Sequence, residues 1–345
     1  MSEVNALPDE SAAVARMPKD STQGTGSVWK LFLRIALTAG LFALLFWQVK
    51  WQQVWSAVQS LDMHLFVWVC VLWIPTSYLQ FLRWAILARE AGDGVTRGDI
   101  RRSYWVGFTL GLVTPGRIGQ FGRALALHNC SLSRAMGLSA IERGYSAITI
   151  NGFGLLSLVL LPWLGWVPPY MLPNAWMKGI LVVCGSFLLI LGVFPRSVFR
   201  PLNWLASKLP FREKLERAIE VLKPAGPARG TVYLTLATAS LASSLLQFVL
   251  LIRAMHAPVP IFAGMLAGLL TFFLKGALPI SVGSLGVGEW TAIYCFRGLG
   301  VEPSVSVAAS LVLFTLNVFV PSLIGLPFIN SLRGLPLLKS KVDAA

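Results

Sequence analysis

Arg117 and Arg123 lie in residues 114–127, TPGRIGQFGRALAL, among Gly116, Gly119 and Gly122. A guanidinium is a rigid, permanently charged fork that matches a carboxylate or a phosphate. Glycines let the backbone leave helical geometry and free its N–H groups. At the start of a half-helix such groups and the helix dipole favour an anion. Arg117 and Arg123 on Gly116 and Gly119 therefore suit a phosphate. Two blander uses stay open: the arginines neutralise nearby carboxylates, and the glycines serve close helix packing of the small-xxx-small kind.

Carboxylates in such a setting are few. Of 15 acidic residues, only Glu142 and Glu289 fall inside apolar runs or glycine-broken segments. Glu142 begins a tight group with Arg143 and Tyr145. Glu289 follows a second glycine run that contains Gly283 and Gly286. Lys275 is a further base in an apolar run. Charges within a membrane cost about 2.5–3.5 kcal/mol each on insertion scales, and they face a partner or a cavity. Either Glu142 pairs with Arg117 or Arg123, or these residues line a polar cavity for an anionic group; both can hold. The candidate binding set is thus Arg117, Arg123, Gly116, Gly119, Glu142, Arg143, Tyr145, Gly283, Gly286 and Glu289. No catalytic residue is assigned, because DxD, GxSxG, HExxH and Walker patterns are missing. The four cysteines and three histidines are dispersed, so neither a metal site nor a cofactor is expected.

The elements that must position these residues are membrane helices. The chain has 345 residues, 55% hydrophobic and 13% charged. So much apolar surface excludes a water-soluble fold, and each span needs about 20 apolar residues. The net charge of +14 could suggest nucleic acid. Its bases, however, cluster in the gaps between apolar runs, as the positive-inside rule expects, so no nucleic-acid partner is predicted. The same bases suit anionic headgroups of the surrounding bilayer.

Residues 1–27 read as a disordered cytoplasmic tail and 28–330 as one integral membrane domain, followed by a cytoplasmic tail at 331–345. Spans are expected at 28–49, 63–88, 135–161, 176–194, 231–252 and 304–329. Arg83, near the inner end of its span, is expected to snorkel to water. Residues 51–58 form a short amphipathic helix at the outer interface. Residues 195–230 form a basic cytoplasmic linker. The run at 104–113 is too short to span, and 259–303 is broken by glycines; both read as re-entrant. If 259–278 crosses fully, there is one more span. The fold class is all-α polytopic, with about 6–8 transmembrane helices and two glycine-broken re-entrant segments.

The order repeats. An offset of 167 residues carries Gly116 onto Gly283 and Gly119 onto Gly286. Nearly the same offset carries one long span onto the next, giving halves of about 63–162 and 231–329. The charge rule gives these halves opposite orientations, as in the inverted repeats of secondary transporters, with N- and C-termini cytoplasmic.

The segments TPGRIGQFGRALAL, IERGYSA (141–147) and LPISVGSLGVGEW (278–290) resemble the lysylphosphatidylglycerol synthase transmembrane-region family of flippase-like membrane proteins. The resemblance covers roughly residues 28–330. It departs at Gln120, where the family usually has an acid, and at Ser284 and Gly288, where a glycine and a base are common. It implies a lipid flippase or transporter of a bacterial inner membrane, handling an anionic or a polyprenyl- or hopanoid-type lipid. The alternatives are a non-catalytic partner of a lipid- or glycolipid-synthesis enzyme and, below it, a membrane-embedded headgroup transferase. With no soluble transferase domain after residue 345, the standalone form is expected.

Overall fold

The computed structural model describes residues 51–92, 94–114, 117–164, 174–195, 197, 226–278 and 285–332. The span expected at 28–49, both tails, most of the 195–230 linker, Gly116 and Gly283 lie outside them.

The described elements are helical throughout. They run α1 (Trp51–Gln59), α2 (Met63–Arg89), α3 (Arg97–Leu112), a 3-10 helix (Ile118–Ala126) and α4 (Leu132–Leu160). Then follow α5 (Ala175–Val193), α6 (Pro227–Ala254), α7 (Ile261–Ala277), α8 (Val287–Arg297), α9 (Pro303–Phe314) and α10 (Val320–Gly325). A π-helical turn, Thr315–Phe319, joins α9 to α10. Among the described residues five helices are long and apolar enough to cross a membrane: Met63–Arg89, Leu132–Leu164, Ala175–Val193, Pro227–Ala254 and Pro303–Ile329. The chain is therefore an all-α, multi-pass membrane protein.

Helix starts follow local chemistry. Asp62 accepts from the His64 and Leu65 N–H groups at the start of α2. Thr96 and Asp99 form a reciprocal capping box on α3. That box starts α3 at Arg97, several residues before the apolar run read at 104–113. The second broken segment is two helices, α7 and α8. At 17 residues α7 lies at the lower limit of a membrane span. Gly286, immediately before α8, has φ 84°, a conformation open to glycine and strained for other residues.

Helices α2 and α6 cross antiparallel along their lengths. The Asp62 N–H donates to the Ala254 carbonyl (2.8 Å), and Gln247 Nε2 to the Val69 carbonyl (2.9 Å). At the other end Arg229 Nη1 donates to Glu90 Oε1 (3.1 Å). Midway, the hydroxyls of Thr76 and Ser243 lie 2.6 Å apart. These two residues are separated by the same 167 positions that relate the glycine motifs.

Each broken segment leans on the last long helix of the other part of the chain. Helix α3 packs on α10, with Thr109 Oγ1 donating to the Ser322 carbonyl (2.7 Å) and Ser322 Oγ to the Phe108 carbonyl (3.0 Å). Helix α7 packs on α4, where Gly154 faces Phe273. At Gly325 a Cβ would collide with the Trp105 carbonyl and Thr109 Oγ1. Overpacking of this kind costs about 1–3 kcal/mol. Gly325→Val is expected to lower the melting temperature of the purified protein in detergent. Gly144→Ala, whose new Cβ meets nothing within 4 Å, is expected to keep or raise it.

Candidate functional site

The first arginine motif is folded as a hairpin. Helix α3 runs in, the chain turns, and the 3-10 helix runs back against it. Thr114 Oγ1 receives the Gly119 N–H (2.6 Å), which anchors the new helix to the end of the old one. Gly119 sits against the Leu110 carbonyl, with no room for a side chain. On α3 the small positions Gly107 and Gly111 receive Arg123 and Gln120. The close-packing use of glycine and the charged use thus coincide in one hairpin. Arg117, at the turn, has φ 59°, a left-handed conformation that is uncommon outside glycine.

Glu142 of α4 is the hub. Its Oε1 accepts from Arg83 Nη2, and its Oε2 lies 3.0 Å from Arg123 Nη2. All three residues are about 95% or more buried. Arg83 also donates to Ser146 Oγ (2.7 Å). The Arg123 guanidinium lies 4.8 Å from the centre of the Trp84 ring, within cation–π reach. Arg83 therefore does not snorkel to water. It turns inward, where the Glu142 carboxylate on α4 compensates its charge. Arg89, less than two turns on, is the basic residue in the helix's last turn.

Gln120 holds two arginines at once. Its backbone carbonyl accepts from Arg123 Nε (3.0 Å), and its side-chain Oε1 accepts from Arg143 Nη1. Arg117 lies 5.6 Å from the Phe108 ring centre, and its buried Nε has no hydrogen-bond partner among the described residues. Lys275, at the end of α7, reaches the same space from the other side, its Nζ beside Gly288.

These groups surround a cavity of about 400 Å³. Its lining includes Arg83, Arg117, Arg123, Arg143 and Lys275 as cations and Glu142 as the acid. Apolar walls come from Phe108, Ile150, Leu241, Phe248, Phe272, Leu313 and Phe314. Uncharged polar groups, among them Gln80, Asn151, Ser240, Ser244 and Asn317, complete it. Asn317 lies in the π-helical turn and donates to Gln247 Oε1 (3.1 Å).

The other candidates are placed differently. Glu289 accepts from the Gly286 N–H (2.6 Å) and from Ser310 Oγ (3.2 Å), so it caps its own helix behind the cavity wall. Tyr145 turns toward Tyr233, with ring centres 5.3 Å apart, and is outside the lining. Sequence reading missed Arg83 and Asn317 as site residues. The signal for Arg83 was available: it is a base with apolar neighbours on both sides, Leu82 and Trp84.

A cationic cavity thus lies between crossing membrane helices, walled partly by aromatic and aliphatic side chains. The Lysylphosphatidylglycerol synthase TM region family model matches residues 31–325, and the chain belongs to that family. Its function is accordingly lipid-related. No curated relative and no solved structure matches the chain.

Removing one member of a buried ion pair costs about 3–5 kcal/mol, because a charge is left uncompensated. Glu142→Gln is expected to destabilise the protein by that order. Adding Arg83→Met is expected to recover part of the loss. A double-mutant cycle on unfolding measures the coupling; strictly additive effects would show that the two side chains do not stabilise one another.

Proposed function

We propose that the protein binds the anionic headgroup of a membrane lipid in this cavity and passes the lipid between the leaflets of a bacterial inner membrane. One observation carries the reading. Arg117, Arg143 and Lys275 face the cavity, and among the described residues none has a carboxylate within 4.0 Å. Arginines needed only for neutralisation would resemble Arg83 and Arg123, which share Glu142. Cations left over beside apolar walls suit a phosphate carried on hydrocarbon.

The architecture supports movement. Antiparallel crossing of α2 and α6, with Thr76 meeting Ser243, is what two inverted halves at about 63–162 and 231–329 would produce. In transporters so built, one half rocks against the other around a site at their interface. Both termini and the basic 195–230 linker then lie on the cytoplasmic side.

Proteoliposomes carrying a fluorescent anionic lipid test this reading. Protein is expected to accelerate its transfer between leaflets. An Arg117→Gln, Arg143→Gln double variant is expected to be slower by tenfold or more, as the loss of charge-assisted contacts implies. Folded protein that accelerates no anionic lipid would sink the transport reading. Unchanged support of lipid synthesis in cells by that variant would favour the alternative, a non-catalytic partner of a synthesis enzyme.

A further inference from the structure

The cavity's charge balance points to a narrower ligand class. Arg83 and Arg123 are satisfied by one carboxylate, Glu142. Arg143 is held by Gln120, and an amide carbonyl orients a guanidinium without neutralising it. Arg117 and Lys275 reach the cavity from different segments, and Glu289, hydrogen-bonded to the Gly286 N–H and to Ser310, supplies a second carboxylate near Lys275. Five cations set against the two carboxylates, Glu142 and Glu289, therefore leave three positive charges for a ligand. A phosphodiester headgroup brings one negative charge. A terminal phosphate brings about two at neutral pH, its second ionisation lying near pH 6, and a terminal diphosphate brings more.

We infer that the cavity is matched to a lipid bearing a terminal phosphate or diphosphate, and that Gln120 sets this preference by holding Arg143 without cancelling its charge. This rests on the proposed headgroup site. Gln120 suits the role because it is buried and fixed. Its stem lies against Gly111, where a Cβ would stand 2.6 Å from Gln120 Cγ, and its backbone carbonyl holds Arg123. A carboxylate of the same shape at position 120 would lower the charge offered to the ligand by one unit without enlarging the cavity. Gln120 is thus a specificity residue acting through Arg143.

Equilibrium binding of the full chain in phosphatidylcholine nanodiscs at pH 8 tests the inference. The probes are fluorescent phosphatidic acid, phosphatidylglycerol and phosphatidylcholine with identical acyl chains, together with farnesyl phosphate and farnesyl diphosphate. Wild type is expected to bind the terminal-phosphate probes about tenfold more tightly than phosphatidylglycerol, the size of one further charge-assisted bond. The better of the glycerolipid and prenyl probes identifies which chain carries the phosphate. Gln120→Glu is expected to remove most of that preference, weakening the terminal-phosphate probes about tenfold and phosphatidylglycerol by less. Should Gln120→Glu fail to fold, Arg143→Gln reads the same charge from the other partner and is expected to remove the same preference. Equal binding of phosphatidylglycerol and phosphatidic acid by wild type would overturn the inference and leave the headgroup site standing. No anionic probe binding above phosphatidylcholine would overturn both. A preference that survives both substitutions would overturn the role of Gln120.

Discussion

The carboxylate of Glu142, held between Arg83 and Arg123, is the interaction on which the rest of the site depends. It joins three elements distant in sequence: the C-terminal part of α2, the returning arm of the hairpin, and α4. A buried ion pair of this kind contributes little net stability against a well-packed apolar alternative, but it is costly to break. Its effect is to fix geometry. With Arg123 tied to Glu142, to the Gln120 carbonyl and to the face of Trp84, the 3-10 helix has one position against α3. Arg117 and Gln120 are placed by that position.

The cavity follows from the crossing of α2 and α6. Two antiparallel helices meet at Thr76 and Ser243, and the broken segments fold in on either side. Helices α3 and α7 are short, and side chains from residues near their ends line the cavity. In the first segment those side chains are cations. In the second, Lys275 points in while Glu289 is withdrawn to cap α8. The asymmetry leaves the space lined mainly by cations.

The π-helical turn at Thr315–Phe319 belongs to the same picture. A π turn changes the angular register of the residues after it. Here Asn317 lines the cavity and joins Gln247, whose amide bonds back to α2 at Val69. A polar connection thus runs from the cavity through α6 to the N-terminal part of α2. Intramembrane amides find partners because water is not available to them.

Much of this was legible in the chain itself. Apolar length determined the membrane helices, because only a hydrogen-bonded helix of some twenty residues satisfies the backbone within a bilayer. The glycine runs located both breaks, and the rarity of intramembrane acids singled out Glu142. The sequence could not say which base Glu142 chooses, because pairing depends on which helices become neighbours. Arg83 is 59 positions away, near a helix end where snorkelling is the ordinary outcome. Nor could it separate Glu142 from Glu289. Both are acids in apolar surroundings, yet one faces a cluster of guanidiniums and the other a backbone N–H three residues before it. Residue type and spacing set what each group could do; only packing of the helices decided which charges were cancelled and which were left facing the cavity.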